Sequence, residues 1–318
     1  MMPAITATAP GKIILFGEHA VVYGHPAIAV PVDQVSARAL VMAEPRRPSG
    51  SVHILAPDIG LDADLCDLPD EDPLAMAVRG LLSALKIEQP PALTMQVSST
   101  IPLAAGLGSG AAVSTAVIRA LANFFGVLLP DDRVSALVYE VEKRHHGTPS
   151  GIDNTVIVYR MPVYYVRGQA VQTFRVDAPF TIVIGDTGVA SPTALAVGDL
   201  RRLWQADPER YEALFDAAGQ IARQARQLIE SGQPGELGPL MDENHRLLQQ
   251  MNVSSSELDR LVQAAQNSGA LGAKLSGGGR GGNMIALVEP GQTERVVGAL
   301  YNAGAVRTIK TVVEKTKE

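Results

Sequence analysis

Hydrophobic and polar positions change their period several times along this chain, and each change marks an element. Short β-branched runs bounded by Gly or Pro predict strands: KIILFG (12–17), AIAVPVD (27–33), SARALVMAE (36–44) and VHILA (52–56). The acidic DLPDEDP (67–73) reads as a solvated loop. Leu74, Val78, Leu81, Leu82 and Leu85 then recur at helical spacing. LTMQVSS (93–99) alternates as a strand and delivers the chain to a glycine-rich run. Beyond that run, Val113, Val117, Leu121 and Phe124 mark one helix face. Asp131, after Pro130, is a candidate cap for a helix carrying Val134, Val138, Val141 and His145, ended by Gly147 and Pro149.

TVIVYRMPVYYV (155–166) and FTIVIGDTG (180–188) predict more strands. From Ser191 and Pro192, a cap followed by a first-turn proline, the pattern turns helical at about 208–231, 236–251 and 255–268. The tail mixes KLSGGGRGGNMIALV (274–288), a helix near 292–303 and the strand-like RTIKTVVE (307–314). The expected fold class is α/β (α+β) with two domains, a strand-rich 1–185 and a helix-rich 186–318.

Composition narrows the class of protein. Hydrophobic residues make up 46% and charged residues 19%, which suits a packed interior. A net charge of −6 argues against a nucleic-acid binder, which grips phosphates with clustered Lys and Arg. Cys66 is the only cysteine, so neither an intrachain disulfide nor a thiolate cluster is expected. The start, MMPAITATAPGK, lacks the pattern of a signal peptide, and no run reaches the roughly 18 apolar residues of a membrane span. A cytoplasmic protein is expected.

Two glycine runs are candidates for chemistry. Gly277, Gly279 and Gly282 satisfy G-x-G-x-x-G, but the NMIALV that follows reads as a strand where a dinucleotide site needs a helix. No G-x-x-x-x-G-K-[ST] exists. The run IPLAAGLGSGAAV (101–113) passes a different test: Gly106, Gly108 and Gly110 stand at the opening of a helix. Backbone N–H groups and the positive helix end can converge there on an anion, and a bare backbone lets phosphate oxygens approach. A tight strand-to-helix turn would use the same residues.

Polar residues gather in two further places. Lys12, Glu18 and His19 surround the first strand, as a catalytic group or as a strand-end lysine and a polar turn. Glu142, His146, Ser150 and Asp153 flank a helix end and turn; two carboxylates there can meet a metal and a substrate hydroxyl, or serve as a cap and a surface charge. HExxH and G-x-S-x-G are absent.

Taken together, four segments resemble the motifs of the GHMP small-molecule kinases: APGKIILFGEHAVVYGHPAIAV (9–30), IPLAAGLGSGAAVSTAVIRAL (101–121), HGTPSGIDN (146–154) and KLSGGGRGGNMIALV (274–288). The resemblance implies two domains with an active-site cleft between them and ATP as phosphoryl donor. It places Pro102, Ala105, Gly106, Leu107, Gly108, Ser109, Gly110 and Ala111 around the ATP phosphates. Asp153 would take or orient the acceptor's hydroxyl proton and Lys12 would stabilise the developing charge. Glu142 would bind Mg²⁺, while Glu18, His19 and Thr193 would lie by the acceptor with Lys12 and Asp153. Gly277, Gly278, Gly279 and Arg280 form the third motif. The acceptor implied is mevalonate, phosphorylated on its primary hydroxyl in isoprenoid biosynthesis; a phosphomevalonate or sugar 1-kinase, or a non-catalytic sensor, is the alternative. A homodimer fits the family, and no nucleic acid or membrane partner is implied.

Two residues depart from the family pattern. Gly110 stands where a second serine, a magnesium ligand, is common. Arg280 interrupts the third glycine run, either as an extra phosphate clamp or pointing to solvent.

Overall fold

The computed structural model describes residues 4–102, 105–146, 149–170, 172–191 and 193–316. In chain order it runs β1 (Ala4–Phe16), β2 (Ala27–Ala43), β3 (Val52–Ala56), β4 (Leu61–Asp64), α1 (Pro73–Ala84), β5 (Leu93–Ser99) and α2 (Ser109–Phe124). Then come α3 (Asp131–His146), α4 (Ile152–Tyr159), β6 (Val163–Tyr165), β7 (Gln172–Thr173), β8 (Phe180–Asp186), α5 (Thr193–Ala206) and α6 (Pro208–Glu230). The last elements are α7 (Leu237–Gln250), α8 (Ser256–Asn267), β9 (Gly272–Ser276), β10 (Asn283–Val288), α9 (Thr293–Asn302) and β11 (Arg307–Val313).

Two compact units interleave along this order. The first comprises Met1–Gly11, Val35–Pro102 and Gly108–Arg160. Within it β5 pairs antiparallel with Ala37–Ala43 of β2 and parallel with β3, which pairs antiparallel with β4. Helices α1 to α4 pack on one another, and α2 also packs on β5. Asp72 caps α1 by accepting from the Ala75 N–H at 2.9 Å, just before Pro73 at the first helical position. Leu74, Val78 and Leu81, taken from the periodic stripe, are buried.

The second unit comprises Lys12–Gln34, Leu103–Leu107 and Met161–Glu318. Here Ala27–Ala29 of β2 pair with β6, and β6 with β7. A separate antiparallel sheet has the order β11-β8-β10-β9. Its β10, NMIALV, is buried throughout, with α8 packed on it and α9 packed on β8 and β11. Helix α7 packs on β9 and α6.

Three expectations about elements change. AIAVPVD and SARALVMAE are one strand, β2, because Pro31 lies between the stretch paired with β6 and the stretch paired with β5. β1 begins at Ala4, ahead of the run that predicted it. TVIVY is helical, not extended: it forms most of α4. Gly151 starts that helix in the left-handed region at φ 91°, and Thr155 Oγ1 donates back to the Gly151 carbonyl at 2.7 Å. β-branched residues lose only a few tenths of a kcal/mol each in a helix, whereas burying each one contributes about 1.5–3 kcal/mol. Ile152, Val156, Ile157 and Val158 are all buried, so packing against α2 and α3 decides the outcome. Of the expected helix signals, Gly147 and Pro192, and the side chains of His145 and His146, lie outside the described residues.

Candidate functional site

In the first unit the glycine run ends at Gly108, which caps α2 with φ 74° and ψ 31°. Only glycine adopts that conformation at little cost, so the chain can turn straight into the helix and leave its first N–H groups pointing outward. Ser109 and Gly110 form the first turn of α2, and Ala111 is buried behind them. Glu142 stands on α3 and is only 6% exposed. A Cβ added at Gly110 would lie 3.1 Å from Glu142 Oε1, so the carboxylate rests against bare backbone. Asp153 occupies the first turn of α4, at the positive end of that helix. Its neighbour Asn154 anchors the turn by donating from Nδ2 to Ser135 Oγ on α3 at 2.8 Å.

The second unit holds the remaining candidates. Lys12 is 4% exposed, and its backbone N–H donates to the Leu107 carbonyl at 3.0 Å. Leu107 is itself buried, and the Ala105 carbonyl accepts from Asn283 Nδ2. Ala105 and Leu107 are therefore fixed while Gly106, between them at φ 75°, is exposed. Pro102, which precedes them, is half-buried.

After β1 the chain turns at Gly17, where φ is 88° and a Cβ would stand 2.3 Å from the Pro26 carbonyl oxygen. His19 follows with φ 62° and ψ −50°, a backbone state that costs a non-glycine residue about 1–3 kcal/mol. Its Nε2 lies 3.1 Å from the Gly278 carbonyl oxygen. Burial, followed by the nearby Arg280 and Lys274 charges and against the pull of that carbonyl, lowers the imidazole pKa to about 4. The ring is neutral near pH 7; since a carbonyl only accepts, Nε2 carries the hydrogen. Nδ1 is left as a buried acceptor with no partner among the described residues.

Glycine is required by crowding in the third motif. A Cβ at Gly278 would meet Thr193 Oγ1 at 2.3 Å, and one at Gly279 the Val253 carbonyl oxygen at 1.9 Å. Thr193, the first residue of α5, is thereby held against the loop. Gly277 has φ 94°, and Arg280 is left-handed too at φ 57°. The Arg280 guanidinium pairs with Asp199 on α5 and donates to the Asn252 carbonyl from Nη2 at 3.2 Å, so it acts as a tether for the loop.

Lys274 and His245 belong to neither of the two polar clusters along the sequence, and the fold brings them to Glu18 and to Leu275. Lys274 is fully buried on β9 and bonds Glu18 Oε1, with a second bond from Nζ to the Leu275 carbonyl at 2.6 Å. His245 accepts from the Leu275 N–H at Nδ1 (3.3 Å), and its Nε2 stands 3.1 Å from Asp259 Oδ1. The available signal was a lone lysine inside a strand whose other residues are small or apolar.

Known proteins match the chain along its length. The family model for the GHMP kinases N terminal domain matches residues 74–160, and that for the GHMP kinases C terminal matches residues 225–306. The mevalonate kinase of Thermococcus sibiricus is 36% identical over 326 residues, covering 97% of this chain and 96% of its own. That of Pyrococcus horikoshii is 34% identical, covering 98% and 96%. The crystal structure of L. major mevalonate kinase in complex with R-mevalonate superposes with a TM-score of 0.85 at 30% identity, covering 98% of this chain and 97% of that one.

Proposed function

This chain belongs to the GHMP kinase family, and from that premise we propose that it transfers the γ-phosphoryl group of ATP to the primary hydroxyl of mevalonate, giving 5-phosphomevalonate for isoprenoid biosynthesis. The observation that carries this reading is the full-length likeness to mevalonate kinases, one of them a structure holding R-mevalonate. No helix among the described residues is long and apolar enough to cross a membrane; action in the cytoplasm, as a homodimer, belongs to the same proposal.

The residues have distinct parts in that reaction. N–H groups at the start of α2, and the exposed backbone at Gly106, cradle the ATP phosphates, flanked by Pro102, Ala105, Leu107 and Ala111; the Ala105 and Leu107 carbonyls are anchored by Asn283 and by the Lys12 N–H. Asp153 takes up the hydroxyl proton as the substrate oxygen forms its bond to the γ-phosphorus and the bond to the β-phosphate oxygen breaks, releasing ADP. The Lys12 ammonium favours the charge that develops on the attacking and transferring oxygens. His19 offers Nδ1 as an acceptor to a substrate hydroxyl, with Glu18 and Thr193 beside it in the acceptor's binding site. Arg280 serves the loop through Asp199.

Glu142 fits a magnesium site. No group of three His, Cys, Asp or Glu able to hold a metal occurs among the described residues, and magnesium is commonly held by one or two carboxylates plus substrate phosphates and water. The buried Glu142, facing bare backbone at the first turn of α2, supplies such a carboxylate. When bound, the ion offsets phosphate charge in the transition state.

The test is ADP release with ATP, magnesium and mevalonate, 5-phosphomevalonate, galactose or homoserine as acceptor, with phosphorus NMR of the product. A primary phosphate ester made from mevalonate is expected. Turnover of another acceptor alone moves the substrate assignment, and ATP binding without any transfer points to a sensor. Asp153→Asn should then lower kcat by at least about 10³-fold while leaving ATP affinity within a factor of about two; retained turnover removes Asp153 from the proton transfer.

A further inference from the structure

We infer that Lys274 is a positioning residue for the acceptor: through its buried bond to Glu18 it fixes the turn that presents Glu18 and His19 to the substrate. The inference rests on the acceptor-binding role proposed for that turn.

The geometry is specific. Lys274 and Glu18 side chains are both fully buried, and Lys274 Nζ divides its hydrogens between Glu18 Oε1 and the Leu275 carbonyl. Glu18 Oε2 is buried and has no hydrogen-bond partner among the described residues. One carboxylate oxygen is thus engaged and the other left to accept, as is Nδ1 of the adjacent His19. A buried acceptor without a donor is destabilising, and a hydroxyl-bearing ligand relieves that cost. The same strand that carries Lys274 leads into Gly278, whose carbonyl holds His19 Nε2. Ser276 Oγ, also on β9, donates to the Ile14 carbonyl of β1 at 2.9 Å and accepts from the Ile14 N–H at 3.2 Å. Lys274 supplies the ionic member of this attachment.

An isolated buried charge is strongly disfavoured, so each member of the pair depends on the other. Burial pushes the Glu18 carboxyl above its ordinary range, and the Lys274 charge opposes that push, aided by Lys12 on β1. Among the described residues, His245 and Asp242 on α7, Asp259 on α8 and Arg280 in the glycine loop are further ionisable groups around Lys274 and His19. With Lys274 uncharged, Glu18 would retain a proton to higher pH and its Oε2 would become a poorer acceptor.

Steady-state kinetics of Lys274→Met in the full chain, with whichever acceptor the wild type phosphorylates, tests this. The acceptor KM is expected to rise about tenfold at pH 7 with ATP KM within about twofold, and to fall back as pH is raised. An acceptor KM and pH profile like the wild type would overturn the inference, as would equal losses towards both substrates with no pH dependence. Should Lys274→Met fail to fold, Glu18→Gln with Lys274→Met removes both charges together; a raised, pH-independent acceptor KM supports the inference, and a wild-type value refutes it. Wild-type inactivity towards mevalonate would instead strike the proposed function.

Discussion

At Gly110 the absence of one carbon lets the Glu142 carboxylate lie against the first turn of α2. A methyl group there, 3.1 Å from Oε1, is tighter than most contacts of its kind, and Glu142 is too buried to swing away freely. Gly110→Ala should therefore displace the carboxylate and raise the magnesium concentration needed for half-maximal rate by about three- to tenfold; an unchanged titration would dissociate Gly110 from the metal. His19 gives a second expectation. Its pKa is about 4 in the folded protein and near 6.5 when exposed, so between these values the unfolded chain binds a proton the native state refuses. The resulting stability is complete above 6.5 and is lost as pH falls toward 4, by about 2 kcal/mol at pH 5. Melting curves from pH 8 to 5 should fall more steeply for wild type than for His19→Gln, and parallel curves would contradict this. His245, lowered chiefly by burial, acts in the same direction. The types of Lys12, Glu18, His19, Glu142 and Asp153 were legible because polar residues stand out beside apolar strands and helices. The partner of Glu18 was not, because 256 positions separate it from Lys274 and only the fold brings them together.

Elements with a clear period were readable: α1, α3 and α6 to α9 follow the spacing of their apolar residues, since one face of each is buried and the other is not. Helix α2 is buried on nearly every side and shows its helical spacing only through Val113, Val117, Leu121 and Phe124, after the glycine run that opens it. Helix α4 escaped because it is buried nearly all round, which erases periodicity and leaves only β-branched composition to mislead. The contact of α7 with β9 escaped for a related reason: its key residues have no side chains. A Cβ at Gly238 would stand 2.2 Å from the Leu271 carbonyl oxygen, and one at Gly272 only 2.1 Å from that of Gly238. These glycines are needed for close approach of two backbones. Gly238→Ala should lower unfolding free energy by about 3 kcal/mol, measured as a reduced urea midpoint. A change below about 0.5 kcal/mol would mean that α7 can move off β9 at little cost.

For the whole molecule, the decisive feature is that β1 and β2 each contribute residues to both compact units, so Lys12–Gln34 belong with Met161–Glu318 and not with most of the sequence that surrounds them. A sequence pattern reads neighbours along the chain and so suggests one cut near 185; a unit assembled from distant segments leaves no compositional seam. Expressing 1–185 and 186–318 separately distinguishes the two descriptions. The first fragment would retain Glu18 without Lys274, and β8 without β10 and β11; the second would retain β10 without β8. Each would expose apolar strand edges and, in the first, strip a buried carboxylate of its counter-charge. Neither fragment should show cooperative urea unfolding alone, whereas mixing them should restore a single transition and ATP-dependent phosphorylation of the acceptor. A cooperative transition in isolated 1–185 would instead mean that residues 12–34 find adequate partners within the first 185, and that the sheet of β8 to β11 is dispensable for folding them.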